Sequence, residues 1–253
     1  MDQAHRLAGS GLAEFRGVIV LGIETSTPQT SVAIAGEHGV IAASAVSAGR
    51  THHETVLPAI EQMTKRTGVE LDGLAGVAVG IGPGLFTGIR VGVEIAKSLA
   101  QTLAIPIIGV PSLDILAFDV RHARRTIGAV IDARRGEVFA CLYDPVHGGV
   151  ARRGEFMVVS PERLAAELQA TGEDVLLTGN GATLYRQQLE EAGGNVEFAS
   201  QASAHPQATA LVELALPKFA REEHDQLFEV APIYLRKSDA EIAWDRRRQA
   251  AEG

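Results

Sequence analysis

The chain has 253 residues, of which 46% are hydrophobic, and a formal net charge of -8. This composition excludes an intrinsically disordered chain, and the acidic balance with 5% aromatic residues argues against a protein whose whole surface binds nucleic acid. The single cysteine excludes an internal disulfide and indicates a reducing compartment. No run of about 18 apolar residues is present. Residues 1–17 contain charges without a signal-peptide core. We therefore expect a cytoplasmic protein without membrane contact.

The beginning of the chain reads as a three-stranded meander followed by a helix. Short apolar runs between polar turns predict the strands, at residues 18–23, 31–35 and 40–45. The first strand ends on an acid and two hydroxyls, Glu24, Thr25 and Ser26. Apolar residues then recur on one face of a predicted helix from Glu54 to Thr67.

Residues 77–110 read as a strand, a glycine-rich turn, a helix and a second strand. The turn follows from Gly82, Pro83 and Gly84, because glycine reaches backbone angles that are closed to other residues and proline fixes its own. Thr87 is a suitable N-cap, so the helix is predicted to run from Gly88 to Ala104.

This helix carries two rows of side chains at a spacing of four. The larger side chains form one row: Val91, Ile95, Leu99 and Leu103. The small residues form the other: Gly88, Gly92, Ala96 and Ala100. Together with Ile89 and Val93, the rows cover an apolar arc of roughly 220°, against the roughly 100° that a one-sided surface helix needs. The small row is therefore expected to receive a second helix, either from the same chain or from a partner subunit.

The second half of the chain starts by repeating the first. A strand at 127–131 ends on Asp132, so an acid closes the first strand of a hairpin twice, at Glu24 and at Asp132. The remaining expected elements are a returning strand at 137–143, a helix capped by Ser160, a strand at 175–178, and helices at about 182–192 and 206–215. This repeat predicts two similar α/β lobes with a cleft between them.

The duplicated lobes resemble the actin-like fold, also called the ASKHA or ribonuclease H-like fold. Several segments also resemble the TsaB (YeaZ) family: IETST, GIGPGLFTGIRVGVEIAKSLA, IDARRGEVFA and PIYLR. Members of that family are partner subunits in the bacterial synthesis of threonylcarbamoyladenosine beside the tRNA anticodon. The resemblance covers about residues 18 to 236. We expect a first lobe of residues 18–112 and 205–236, a second lobe of 113–204, a flexible extension at 1–17 and a mobile tail at 237–253.

The resemblance implies a noncatalytic scaffold subunit that pairs with TsaD, with TsaE as a further partner. TsaD would transfer the threonylcarbamoyl group from its adenylate to the exocyclic amine of the adenosine. The chain would have no activity and no cofactor of its own, since ATP or threonylcarbamoyl-adenylate and the metal are expected on TsaD. It would reach tRNA mainly through the complex, and a homodimer is the alternative when TsaD is absent. The residues expected to meet TsaD lie on two helices: His53, Leu57, Ile60, Gly88, Val91, Gly92, Ile95, Ala96, Leu99 and Ala100.

Two catalytic alternatives remain at this point. An actin-fold ATPase or small-molecule kinase would use the cleft, with Glu24, Thr25, Ser26 and Asp132 as candidate nucleotide-binding residues. A metallopeptidase-like protein would need the paired histidines that TsaD carries after its corresponding strand. This chain has Ser112 and Leu116 at those places, so we expect no metal site and no catalytic residue. Direct tRNA contact stays open, since seven arginines against five acids between residues 113 and 153 give a local excess of two positive charges.

Overall fold

The computed structural model of this chain describes residues 17–47, 52–191 and 195–236. Apart from Gly17, the extension and the tail expected at the two ends lie outside these ranges.

The secondary structure alternates between strands and helices along both halves of the chain. The first half contains β1 (Val20–Glu24), β2 (Thr30–Gly36), β3 (Gly39–Val46), α1 (His52–Thr67), β4 (Gly76–Gly80), α2 (Phe86–Leu103), β5 (Ile107–Val110) and α3 (Ser112–Asp119). The second half contains β6 (Thr126–Arg134), β7 (Glu137–Val146), β8 (Gly149–Val159), α4 (Pro161–Thr171), β9 (Val175–Thr178), α5 (Asn180–Leu184), α6 (Arg186–Glu191), β10 (Val196–Phe198) and α7 (Ala208–Ala220).

The ten strands of the described residues form two five-stranded sheets of the same topology. The first has the order β3-β2-β1-β4-β5, and the second has the corresponding order β8-β7-β6-β9-β10. In each sheet the first three strands in sequence form an antiparallel meander, the fourth strand pairs in parallel with the first, and the fifth pairs in parallel with the fourth. This repetition confirms the duplicated actin-like α/β fold.

Helices cover both faces of each sheet. On the first sheet, α1 and α2 pack on one face, and α7 packs on the other. Helix α3 lies between the sheets, because Ile115 and Phe118 pack with α7 while Leu113 and Leu116 pack against the second sheet. The helices α4, α5 and α6 cover the outer face of the second sheet. Strand β2 is buried along its whole length, since helices cover both of its faces. The α1–α2 layer and the α4–α6 layer are therefore the two outer layers of the molecule.

Helix α2 begins earlier than the sequence indicated. The Leu85 N–H donates to the Ser26 carbonyl at 2.7 Å. This bond holds Leu85 in an extended conformation as the N-cap. The helix therefore starts at Phe86, and the expectation that Thr87 is the cap was wrong.

Five differences concern elements elsewhere in the chain. The helix α1 begins at His52, two residues before the expected start. The strand β8 was missed because its middle is charged and exposed, as is typical of an edge strand, and the short edge strand β10 was missed as well. The helix expected at 182–192 is divided at Tyr185 into α5 and α6. The helix α7 continues to Ala220 through Pro217.

Candidate functional site

The acid at the end of β1 is enclosed by its own lobe. Glu24 is buried, its Oε2 accepts a hydrogen bond from the Ser112 hydroxyl at 2.9 Å, and its Oε1 accepts from the Ser26 N–H at 2.6 Å. The Ser112 oxygen accepts in turn from the Gly82 N–H at 3.1 Å. A Cβ at Gly80 would lie 1.8 Å from Glu24 Oε2. Both carboxyl oxygens are therefore used inside the fold, and they join β1 to the glycine-rich turn and to α3.

Burial also sets the protonation of Glu24. Desolvation raises the pKa of this carboxyl above its ordinary value of 4.5, and the hydrogen bonds from Ser26 and Ser112 oppose part of the rise. A carboxyl with a raised pKa in the folded state stabilises the fold most when it is protonated. That contribution is complete below the unfolded-state pKa and is lost as the pH rises through the folded-state pKa.

The substitution Glu24→Gln tests this assignment, because glutamine cannot ionise. We expect the free energy of unfolding of the native chain, relative to the variant, to fall as the pH rises from about 4.5. The slope should be at most about 1.4 kcal/mol per pH unit, and it should flatten above the folded-state pKa. Denaturant titrations over this pH range measure the difference. A difference that stays constant with pH would mean that Glu24 does not titrate in the folded chain.

Thr25 fills the space beside the two helical glycines. Its hydroxyl donates to the Gly88 carbonyl at 2.8 Å. A Cβ at Gly92 would lie 2.2 Å from Thr25 Oγ1, and a Cβ at Gly88 would lie 2.2 Å from the Thr25 carbonyl oxygen. The His52 imidazole closes the same space, since its Nε2 would lie 2.9 Å from the Cβ at Gly88. Because the two glycines have no side chain, the turn after β1 and the first residue of α1 can pack directly against α2.

The small row of α2 consequently faces the core of this chain. All four of its residues are buried, and Ile60 of α1 is buried too, with 3% of its surface exposed. This corrects the expectation that they contact a partner directly: Ile60, Gly88, Gly92, Ala96 and Ala100. The physical reason is that the turn after β1 and the core of the same chain fill the space beside the small side chains of α2.

The larger row of α2 remains at the surface. Val91, Ile95 and Leu99 are half-buried, and Ile95 and Leu99 touch the core with part of their surface. On α1, Leu57 has 51% of its surface exposed, and His53 is exposed as well. We call these five residues the docking face.

The two helices bring the docking face together. At about 100° per residue, His53 and Leu57 lie on one flank of α1, and Thr55, Ala59 and Gln62 on the opposite flank line a groove beside β3. The docking-face residues of α1 therefore point away from β3 and toward α2. Whether a partner covers this face stays a prediction.

The second acid, Asp132, lies near the end of β6, just before the turn that leads to β7. Asp132 Oδ1 accepts from the Arg134 N–H at 2.9 Å, and the Arg134 guanidinium lies 3.5 Å from Oδ2. Arg134 and Arg135 both have left-handed backbone angles, with φ of 63° and 59°. Asp132 thus stabilises the turn of its own lobe, as Glu24 does in the first lobe.

Sequence reasoning missed a surface aromatic pair. Phe86 and Tyr234 stack with their ring centroids 4.9 Å apart. The PIYLR segment signalled that Tyr234 matters, but nothing in the sequence linked it to Phe86. Among residues 17–47, 52–191 and 195–236, no group of three or more histidine, cysteine, aspartate or glutamate side chains is arranged to hold a metal ion. Within the same ranges, no helix combines the length and the hydropathy needed to cross a membrane.

Comparison with known proteins gives consistent similarities. The family model described as TsaD, tRNA N6-adenosine threonylcarbamoyltransferase, matches residues 25–244. The tRNA threonylcarbamoyladenosine biosynthesis protein TsaB of Bacillus subtilis is 32% identical over 230 residues, which are 89% of this chain and 97% of that protein. The protein of the same name from Escherichia coli K12 is 28% identical over 90% of this chain and 97% of its own length. The solved structure of YeaZ from Pseudomonas aeruginosa is 30% identical, covers 86% of this chain and 100% of its own, and has a TM-score of 0.74.

Proposed function

Because this chain belongs to the TsaB family of tRNA threonylcarbamoyladenosine biosynthesis proteins, we propose that it is the noncatalytic subunit that pairs with TsaD. In this proposal TsaD transfers the threonylcarbamoyl group from its adenylate to the exocyclic amine of a tRNA adenosine. ATP or the adenylate, and the metal, belong to TsaD, and TsaE is a further partner. The present chain supplies the surface that holds TsaD in its active arrangement.

The docking face is the observation that carries this proposal. Exposed and half-buried aliphatic side chains from two neighbouring helices give it an apolar centre, Leu57 being the most exposed of them. Burial of apolar surface stabilises association by roughly 25 cal/mol per Å² before the costs of association are subtracted. A specific interface commonly buries about 800 Å² on each partner, and the outer sides of two adjacent helices can provide an area of that order.

The environment of Glu24 supports a scaffold rather than a nucleotide-hydrolysing enzyme. In an actin-fold ATPase the acid of the first turn acts on a metal-bound water, so at least one carboxyl oxygen must face the cleft. Here one oxygen accepts from Ser26 and the other from Ser112. Ser112 stands where a metal-binding relative would have a histidine, and its hydroxyl is used by Glu24. The same contacts therefore disfavour both the ATPase or kinase alternative and the metallopeptidase-like alternative.

An omission assay tests the proposed function. Purified TsaD, TsaE and the enzyme that makes the adenylate would be combined with unmodified tRNA, with and without this chain. We expect threonylcarbamoyladenosine, measured by mass spectrometry of the digested tRNA, to form only when TsaD and this chain are both present. Modification at an equal rate without this chain would contradict the proposal. Modification by this chain without TsaD would contradict its noncatalytic role.

A further inference from the structure

An exposed aromatic platform lies at the beginning of α2. Phe86 has 37% of its surface exposed and Tyr234 has 47%, and their rings are stacked with an angle of 30° between the planes. The Arg90 guanidinium lies 5.3 Å from the centroid of the Phe86 ring. Large exposed aromatic side chains held in a fixed arrangement are typical of binding surfaces rather than of general protein surface.

The platform is held in place by the chain segment on either side of Tyr234. The Ile233 N–H donates to the Ile81 carbonyl at 2.8 Å. The Lys97 ammonium donates to the Val230 carbonyl at 3.1 Å, and the Arg236 guanidinium pairs with Glu137 at 2.8 Å. Little conformational entropy would therefore be lost when a ligand stacks on Tyr234.

Arginines lie near the platform on two sides. Arg90 borders it on α2. On the other side, Arg236 is two residues from Tyr234 and forms an ion pair with Glu137. The backbone of Glu137 lies opposite that of Arg134 in the β6–β7 hairpin. The Arg134 side chain is 59% exposed, and Arg135 follows it at the tip of the same turn. Two acids belong to this set of contacts on the Tyr234 side, and each has an arginine partner: Glu137 pairs with Arg236, and Asp132 pairs with Arg134.

The platform is separate from the docking face. At about 100° per residue, Phe86 and Arg90 lie on one flank of α2, and Val91, Ile95 and Leu99 lie on the flank across the buried row. The docking face lies beside α1, whereas the platform lies beside the C-terminal segment that contains Tyr234. Both surfaces could therefore be occupied at the same time.

We propose that an unpaired base of the substrate tRNA stacks on the Phe86–Tyr234 platform while Arg90 binds a neighbouring phosphate. The choice of RNA as the ligand rests on the proposed function; the choice of this surface does not. Stacking on aromatic rings combined with arginine–phosphate contact is the usual chemistry of single-stranded RNA binding. A protein interface would instead need a broad apolar centre with a polar rim. Two aromatic rings beside arginines therefore fit an RNA ligand better than a protein partner.

Two variants and a matched control test this proposal. The substitutions are Tyr234→Ala, Arg90→Gln and, as the control, Phe228→Ala, which changes an aromatic residue that is 78% exposed. Binding of a fluorescent RNA hairpin with an unpaired anticodon-type loop would be measured by anisotropy over a range of salt concentrations. Both the chain alone and the chain with TsaD would be titrated, and melting curves would verify that each variant is folded.

Loss of a base stack and loss of a phosphate contact have different signatures. Tyr234→Ala should weaken binding by about tenfold and leave the salt dependence unchanged. Arg90→Gln should lower the slope of log affinity against log salt by about 0.7. Phe228→Ala should bind like the native chain.

Three results would overturn the proposal. The first is an unchanged affinity of Tyr234→Ala. The second is native binding no tighter to the hairpin than to a fully paired duplex. The third is loss of TsaD binding by Tyr234→Ala with RNA affinity retained, which would make the platform a protein contact. The titration of the chain alone measures RNA binding and contains no TsaD. Its outcome is therefore independent of the omission assay, which tests the proposed function.

Discussion

Replacement of Gly92 by leucine is expected to destabilise the folded chain by about 3 kcal/mol or more. Even the first atom of the new side chain would lie 2.2 Å from Thr25 Oγ1. Thr25 cannot move away cheaply, because it is fully buried and its hydroxyl donates to the Gly88 carbonyl. The substitution would therefore separate α2 from the turn after β1, or unfold the chain. Thermal melting and denaturant titration of the purified variant measure the effect.

Ser98→Leu provides the control for this substitution. Ser98 lies on the same helix but is exposed, so leucine there meets solvent and should change the stability by no more than about 0.5 kcal/mol. A Gly92→Leu variant that melts like the native chain but no longer binds TsaD would show that the small row faces a partner. That outcome would contradict the packing described above.

The two rows of α2 show how far the sequence can predict which side of a helix faces the core. Periodicity correctly predicted a helix with more apolar circumference than one core contact needs. It could not decide which row faces inward, because small and large side chains are both compatible with burial. The decision depends on Thr25, which lies 63 residues before Gly88 in the chain and fits only beside glycine. A close contact between distant segments leaves no periodic signal.

The acid sites illustrate the same limit. The sequence correctly indicated that Glu24 ends the first strand of its hairpin, whereas β6 continues past Asp132 to Arg134. The recurrence of an acid near this point in both halves predicted the duplicated fold. The enclosure of Glu24 depends on Ser112, 88 residues away, and on the space left by Gly80. Residue type alone made Glu24 a candidate for nucleotide binding. In the structure its carboxyl group is buried and bonded to Ser26 and Ser112 of the same chain.

Edge strands and the aromatic platform were the least predictable features. The strand β8 is exposed and charged through its middle, so the apolar alternation that reveals half-buried strands is absent there. Phe86 opens α2 and Tyr234 lies near the end of the described chain, and nothing in either segment links the two rings. Only the fold places them in contact.

The central claim is that the docking face binds TsaD, and Leu57→Arg is the second substitution with a large expected effect. Leu57 is half-exposed on α1, so arginine can extend into solvent and the isolated chain should remain folded. In the complex the same guanidinium would have to be buried among aliphatic side chains without a partner. We expect the affinity for TsaD to fall by at least about 30-fold, the loss caused by removal of an interface hot spot.

Leu184→Arg is the matched control, because Leu184 is 60% exposed on α5, in the opposite outer layer of the molecule. The decisive measurement is the dissociation constant of each variant with TsaD, obtained by sedimentation or calorimetry on chains whose melting curves match the native chain. The docking face predicts a large loss for Leu57→Arg and native affinity for Leu184→Arg. Native affinity of a folded Leu57→Arg chain would contradict it.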